Sequence, residues 1–318
     1  MCGLAGYLSK TQSRYALVGE VLYKMMSALC RRGPDSAGVA LYGSTEEDDL
    51  KLMIRSQETK GHQEEWQGLA RAISKVAPIR SLQTIGEYRR LMIKKPGNLA
   101  DLEELIANFN SMFELVSMGK SVEIIKQVGS PENLNATYSF RSFEGSHGIG
   151  HTRMSTESVV DLSHSQPFWI HGWIDLTTAH NGQITNYSKL RRRYQQRGKR
   201  FYTNNDSEVI GMFLSECMSE GMTFQEALIA SLRGLDGSFT YLAATADCIA
   251  YVRDPFGFKP LHVVDTKDYV AFATEEVALR AWIDSGHPSI EAGSDEVCIW
   301  RLSPELSGAT KEEDTVPA

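Results

Sequence analysis

A cysteine directly behind the initiator methionine, in Met1-Cys2-Gly3-Leu4-Ala5-Gly6-Tyr7-Leu8, constrains this chain more than any other stretch. Methionine is usually trimmed before a residue this small. Cys2 would then carry a thiol and an α-amine on one residue, with ordinary pKa values of about 8.5 and about 8. Such an amine can act as the base for its own side-chain nucleophile, with no histidine needed. Leu4, Ala5, Tyr7 and Leu8 read as a buried strand, and Gly3 and Gly6 let backbone or substrate approach closely. Taken alone, Cys2 could also be a small buried residue near an ordinary start.

Further along, residues 15–30 carry Leu17, Val18, Val21, Leu22, Met25, Met26 and Leu29 at helical spacing. The Gly33-Pro34 breaker should end that helix near Cys30, before a strand over Ser36–Tyr42. Residues 44–60 are polar and acidic. Residues 58–143 read as a mostly helical insertion. Its clearest stripe is Leu102, Leu105, Ile106, Phe109, Met112, Phe113 and Val116, with a capping box at Asp101–Glu104 and a stop at Gly119. From Gly148 onward, short apolar runs alternate with turns. Helices are expected over Ser207–Met218 and Thr223–Arg233. Strands are expected at Ser238–Ala244, Cys248–Arg253, His262–Asp265 and Tyr269–Thr274. The pattern predicts antiparallel sheets covered by helices, an α+β class. One domain should span 2–306, with 307–318 a frayed tail.

Four polar clusters interrupt this scaffold: Arg31–Gly38, Gly150–Glu157, His180–Ile184 and Asn205–Glu208. Each alone is compatible with a turn, a charged strand end, an Asn-Gly hairpin or a helix cap. Together with Cys2, in this order, they resemble the class II glutamine amidotransferases, also called the N-terminal-nucleophile (Ntn) type. Leu235-Asp236-Gly237-Ser238-Phe239, the Arg253–Leu261 run and Phe272-Ala273-Thr274-Glu275-Glu276 extend the likeness. The resemblance implies a four-layer αββα sandwich. It implies that Cys2 attacks the glutamine side-chain amide and forms a glutamyl thioester. Asn181 and Gly182 would form the oxyanion hole. Arg153 would hold the substrate α-carboxylate and Asp206 its α-ammonium group. Thr152 and Thr156 would close the carboxylate pocket. Arg32 and Gly33 would lie on a loop folding over thiol and substrate. His151 and His180 would be scaffold.

The run Phe143–Arg153 and the stand-alone length further resemble the separate amidotransferase subunits of glutamate-synthase-like systems, including the N-methylglutamate synthase A subunit. That likeness implies glutamine as substrate and ammonia passed to a synthase partner in a hetero-oligomer. No cofactor is expected in this chain, and a flavin is expected on the partner. Alternatives are an Ntn hydrolase of another amide or an inactive regulatory subunit. The paired charges of Arg153 and Asp206 and the full set of pocket residues argue against both.

The net charge of −7 gives no basic footprint for nucleic acid. No apolar run reaches the roughly 18 residues of a membrane span. Five scattered cysteines without a C-x-x-C pair argue against a zinc site or disulfide framework, and for a cytoplasmic location. No metal is expected.

Overall fold

The computed structural model describes residues 2–11, 17–44, 49–56, 62–154, 162 and 164–302. It starts with the strand that carries the cysteine, β1 (Gly3–Ser9), buried along its whole length. Next come α1 (Val18–Leu29), β2 (Ser36–Tyr42) and β3 (Asp49–Ser56). A second stretch holds α2 (Gln63–Val76), β4 (Ile79–Ile85), β5 (Tyr88–Lys94), α3 (Leu99–Phe109), β6 (Phe113–Gly119), β7 (Val122–Val128) and α4 (Pro131–Tyr138). A 3-10 turn at Phe140–Ser142 leads into β8 (His147–Arg153), β9 (Phe168–Trp169) and β10 (Thr177–Ile184). Three helices follow, α5 (Tyr187–Gln196), α6 (Ser207–Ser219) and α7 (Phe224–Gly234). The chain then adds β11 (Gly237–Ala244), β12 (Cys248–Arg253), β13 (His262–Asp265), β14 (Tyr269–Ala273), α8 (Glu276–Arg280), β15 (Ile290–Glu291) and β16 (Glu296–Arg301).

Two antiparallel sheets form the centre. One runs β15-β13-β14-β1-β8-β2-β7, the other β16-β12-β11-β10-β9. They face each other through β1 and β8 on one side and β10 and β11 on the other. Helices α1, α4 and α8 cover the first sheet, and α5, α6 and α7 the second. This is the four-layer αββα order. Helix α1 buries Val18, Val21, Leu22, Met25, Met26 and Leu29, the stripe legible from its spacing. Helix α7 starts at the expected capping box: the Glu226 backbone N–H donates to Thr223 Oγ1, and the Thr223 backbone N–H to the Glu226 carboxylate.

The 58–143 stretch departs from expectation. It is not mostly helical. Strands β4, β5 and β6 join β3 in a separate sheet ordered β4-β5-β3-β6, and β7 becomes the edge of the main sheet. The long apolar stripe breaks at Asn110, whose side chain accepts from the Met112 backbone N–H. Phe113 and Val116 therefore lie on a strand, and Gly119 ends that strand rather than a helix. The helix cap is Asn98, not Asp101. The acidic 44–60 stretch contains β3, whose charged residues are buried in pairs: Lys51 Nζ lies 2.8 Å from Glu123, and Arg55 pairs with Glu114.

Asp175 fastens this region to the sandwich. Its buried carboxylate accepts the backbone N–H groups of Lys120 (3.0 Å), Ser121 (2.9 Å) and Val122 (2.8 Å) at the β6–β7 turn. Removing it orphans three donors, each costing about 1–3 kcal/mol when left unsatisfied. Asp175→Ala should therefore lower stability by about 3 kcal/mol in urea unfolding. Asp175→Asn, which keeps one acceptor oxygen, should lose less.

Two buried histidines make stability pH-dependent. His147 stacks on Tyr42 and lies 2.7 Å from the Thr245 carbonyl, so Nε2 carries the proton. Burial pushes His147 down to about 4 and His151 down to about 3, against about 6.5 in the unfolded chain. Between those values the unfolded chain binds more protons, so stability rises with pH and is lost as pH falls from 6.5 towards 4. The urea midpoint should drop between pH 7 and pH 5. The drop should be smaller in His147→Gln.

Candidate active site

Cys2 stands at the head of β1, where two strands converge on it. From β14, the Thr274 backbone N–H donates to the Leu4 carbonyl (3.0 Å), and Thr274 Oγ1 accepts from the Leu4 N–H (2.7 Å). From β10, Asn181 Nδ2 donates to the Cys2 carbonyl (3.0 Å) and lies 3.2 Å from Thr274 Oγ1. Arg32 Nε donates to the same Cys2 carbonyl (3.3 Å) and pairs with Glu275 through its guanidinium. The Cys2 thiol lies 3.8 Å from the Met154 carbonyl, just past β8. The start of β1 is thus held by three segments, while its side chain borders open space.

The Asn181 amide is oriented from behind. His151 Nε2 lies 3.3 Å from Asn181 Oδ1. Burial keeps His151 neutral at ordinary pH. A neutral ring that donates from Nε2 fixes Oδ1 as the acceptor and turns the Nδ2 donor towards Cys2. The neighbouring His180 is clamped by Gln166, which accepts its backbone N–H (2.6 Å) and donates to its carbonyl (3.1 Å). His180 Nδ1 lies 2.8 Å from Ser207 Oγ at the start of α6. Burial holds His180 low despite the nearby Asp206 carboxylate. Among the described residues, neither histidine hydrogen-bonds to the Cys2 thiol.

Gly182 follows with φ +131°, and a Cβ there would lie 2.1 Å from the Ser238 carbonyl oxygen. Only glycine fits this close backbone approach. At the end of the same strand, the Ile184 N–H donates to Asp206 Oδ2 (2.8 Å). Asp206 makes no side-chain cap for α6; Asn205 Oδ1 accepts the Ser207 N–H (3.0 Å) instead. Asp206 Oδ1 has no hydrogen-bond partner among the described residues.

These groups border one cavity of about 690 Å³. Cys2, Arg32, Arg153, Asn181, Gly182 and Asp206 all line it, brought from β1, the α1–β2 loop, β8, β10 and the start of α6. Two residues expected at the site take other places. Thr152 is fully buried, and its hydroxyl donates to the Leu29 carbonyl (3.4 Å) rather than facing the cavity. Gly33 packs on the β8 backbone, where a Cβ would come within 2.5 Å of the Thr152 carbonyl. It shapes the loop that carries Arg32 and does not line the cavity. Thr156 lies outside the described residues. Gln166 and Tyr187 also border the cavity, and so does Thr274, seen in the sequence only as part of a scaffold run. Among the described residues, no group of three or more His, Cys, Asp or Glu could hold a metal. Among them, too, no helix is long and apolar enough to cross a membrane.

Residues 151–281 match the glutamine amidotransferase domain model. The chain is 36% identical over 304 residues to the glutamine amidotransferase-like protein GlxB of Rhizobium meliloti, covering 96% of each. It is 31% identical over 164 residues to an amidophosphoribosyltransferase of Methanocaldococcus jannaschii, covering 51% of this chain and 35% of that one. The fold matches the glutamine phosphoribosylpyrophosphate amidotransferase of B. subtilis with a TM-score of 0.62 at 17% identity. That match covers 94% of this chain and 47% of the other, so the chain spans about half the length of that solved enzyme. With a near full-length relative, a matching domain and an Ntn-type sandwich around one cysteine-headed cavity, the chain belongs to the glutamine amidotransferase family.

Proposed function

We propose that this chain is the glutamine-hydrolysing subunit of an amidotransferase that passes ammonia to a separate synthase. The observation that carries the reading is the convergence of Cys2, Arg153, Asn181, Gly182 and Asp206, from separate segments, on one cavity. Free glutamine has charge at both α-groups. Arg153 offers a planar two-pronged donor set for the carboxylate, and Asp206 an acceptor for the ammonium group. The side-chain amide then reaches Cys2. Once Met1 is removed, the Cys2 α-amine accepts the thiol proton as sulfur bonds to the amide carbon. Asn181 Nδ2 and the Gly182 backbone N–H stabilise the negative oxygen. The amine returns the proton to the leaving nitrogen, ammonia departs and a glutamyl thioester remains. Water, deprotonated by the same amine, cleaves the thioester to glutamate and frees the thiol.

The acceptor half is a glutamate-synthase-like subunit that carries a flavin. Phe256 and Phe258, 63% and 74% exposed, stack on each other, and Phe258 borders the thiol cavity. An exposed aromatic pair at the mouth of a site that releases ammonia suits a partner docking there. Substrate reading at Arg153 gives the test. Arg153→Lys should raise KM for glutamine about tenfold or more, because a point charge cannot replace the bidentate fork. An unchanged KM, or equal turnover of a glutamine derivative without a free α-carboxylate, would overturn the assignment.

A further inference from the structure

A second cavity, of about 220 Å³, lies on the other side of the Tyr202–Asp206 segment, between β6, β7, β9 and α3. Its deepest cation is Lys126 on β7, only 4% exposed. The Lys126 ammonium makes no hydrogen bond or ion pair among the described residues. It sits 4.7 Å above the Phe168 ring. Burial pushes Lys126 down to about 8, which still leaves it mainly charged at neutral pH. Glu114 and Glu208 favour its charge from a distance, yet no acceptor among the described residues contacts Nζ directly, and a buried cation with no hydrogen-bonded partner is costly, a cost that an acceptor supplied from outside would relieve.

The carboxylates bordering the cavity are already committed. Glu103 lies 3.2 Å from His171 Nδ1 and accepts the Gly172 N–H (3.0 Å). Glu114 pairs with Arg55. Glu208 accepts the Tyr202 N–H (2.7 Å), the Thr203 N–H (2.9 Å) and the Thr203 hydroxyl (2.8 Å). The remaining walls are flat or apolar: Phe113, Leu115, Phe168 and Trp169, with Tyr202 stacked on His171. Arg200, poised over the Tyr202 ring, adds a second cation. A concave space with apolar and aromatic walls and a deep cation free of direct partners is the pattern of a small-molecule site.

We propose that this cavity binds a small organic carboxylate, its acid group on Lys126 and its apolar or aromatic body against Phe168, Trp169 and Tyr202. The size and the single deep cation favour a carboxylate with an apolar body over a phosphate, which needs more donors. The site is separate from the thiol cavity, and its occupancy does not depend on glutamine hydrolysis.

The test uses the full chain and phenylacetate as probe, with phenylacetamide and inorganic phosphate as controls, by calorimetry and ligand-detected NMR. Phenylacetate should bind at least tenfold tighter than the neutral amide. Lys126→Met should remove that preference, with at least a tenfold loss of phenylacetate affinity. Cys2→Ala should bind phenylacetate as the parent does, which keeps this result distinct from any failure of the glutaminase reading. The acid-against-amide contrast in the unmutated chain decides the matter if Lys126→Met fails to fold. Equal binding of acid and amide, retained affinity in a folded Lys126→Met, or preference for phosphate would each overturn the proposal.

Discussion

Cys2→Ala should abolish glutamine hydrolysis, with kcat falling by at least about 10³-fold while the fold and glutamine binding persist. A nucleophile that forms the covalent intermediate has no substitute, and removing one such group costs nearly as much as removing the whole constellation. The Cys2 side chain is not part of the apolar core, so its loss costs little stability. The other thiols cannot take over. Burial pushes Cys30, Cys217 and Cys298 up, and Cys248 up to about 12, so less reactive thiolate forms at neutral pH. Cys30→Ser should leave kcat within about twofold. The measurement is ammonia release from glutamine, with isothermal binding of glutamine to the Cys2→Ala chain as the control.

Asn181→Ala should lower kcat by about 10²–10³-fold with a small change in KM, the signature of a donor that acts on the developing oxyanion. The geometry also predicts how that loss divides. In the resting chain Asn181 Nδ2 is engaged with the Cys2 carbonyl and Thr274 Oγ1, and His151 fixes which end of the amide faces them. His151→Leu should therefore reduce kcat in the same direction, by less, because the amide loses its orientation but not its donor. Such a residue positions Asn181 and does not itself touch substrate. Steady-state kinetics of both variants separate the two effects. A KM change that exceeds the kcat change in Asn181→Ala would place the side chain in ground-state binding instead.

The lining of the thiol cavity is more legible in the sequence than its supports. Cysteine, arginine, asparagine-glycine and aspartate clusters keep their character wherever the chain turns, and Cys2, Arg153, Asn181, Gly182 and Asp206, which stand out in the sequence, do border one cavity. Their supports do not stand out. Thr274 holds both Leu4 and Asn181 from far along the chain, and Gln166 clamps His180 from the preceding strand connection. Nothing in the local run around either residue marks it. Thr152 reads as a pocket residue because it adjoins Arg153, but strand alternation sends neighbouring side chains to opposite faces, and Thr152 turns inward. The 58–143 stretch reads as helical in sequence because one apolar run, Leu102–Val116, continues from a helix into a strand across the Asn110 break. Strand β3 was hidden because its buried charges, Lys51 and Arg55, find partners on strands much later in the chain.

In the proposed reaction, Cys2 attacks glutamine as an amine-bearing N-terminus. The decisive measurement treats the purified chain with a diazoketone analogue of glutamine and maps the adduct by peptide mass. One adduct per chain should form, on the thiol of peptides that begin at Cys2, with protection by free glutamine and loss of ammonia release in step with labelling. Chains that keep Met1 should stay unlabelled and inactive, because the base is then an amide nitrogen one residue away. An adduct on Cys30, Cys217 or Cys298 with Cys2 untouched, or full activity in chains that keep Met1, would contradict that reaction.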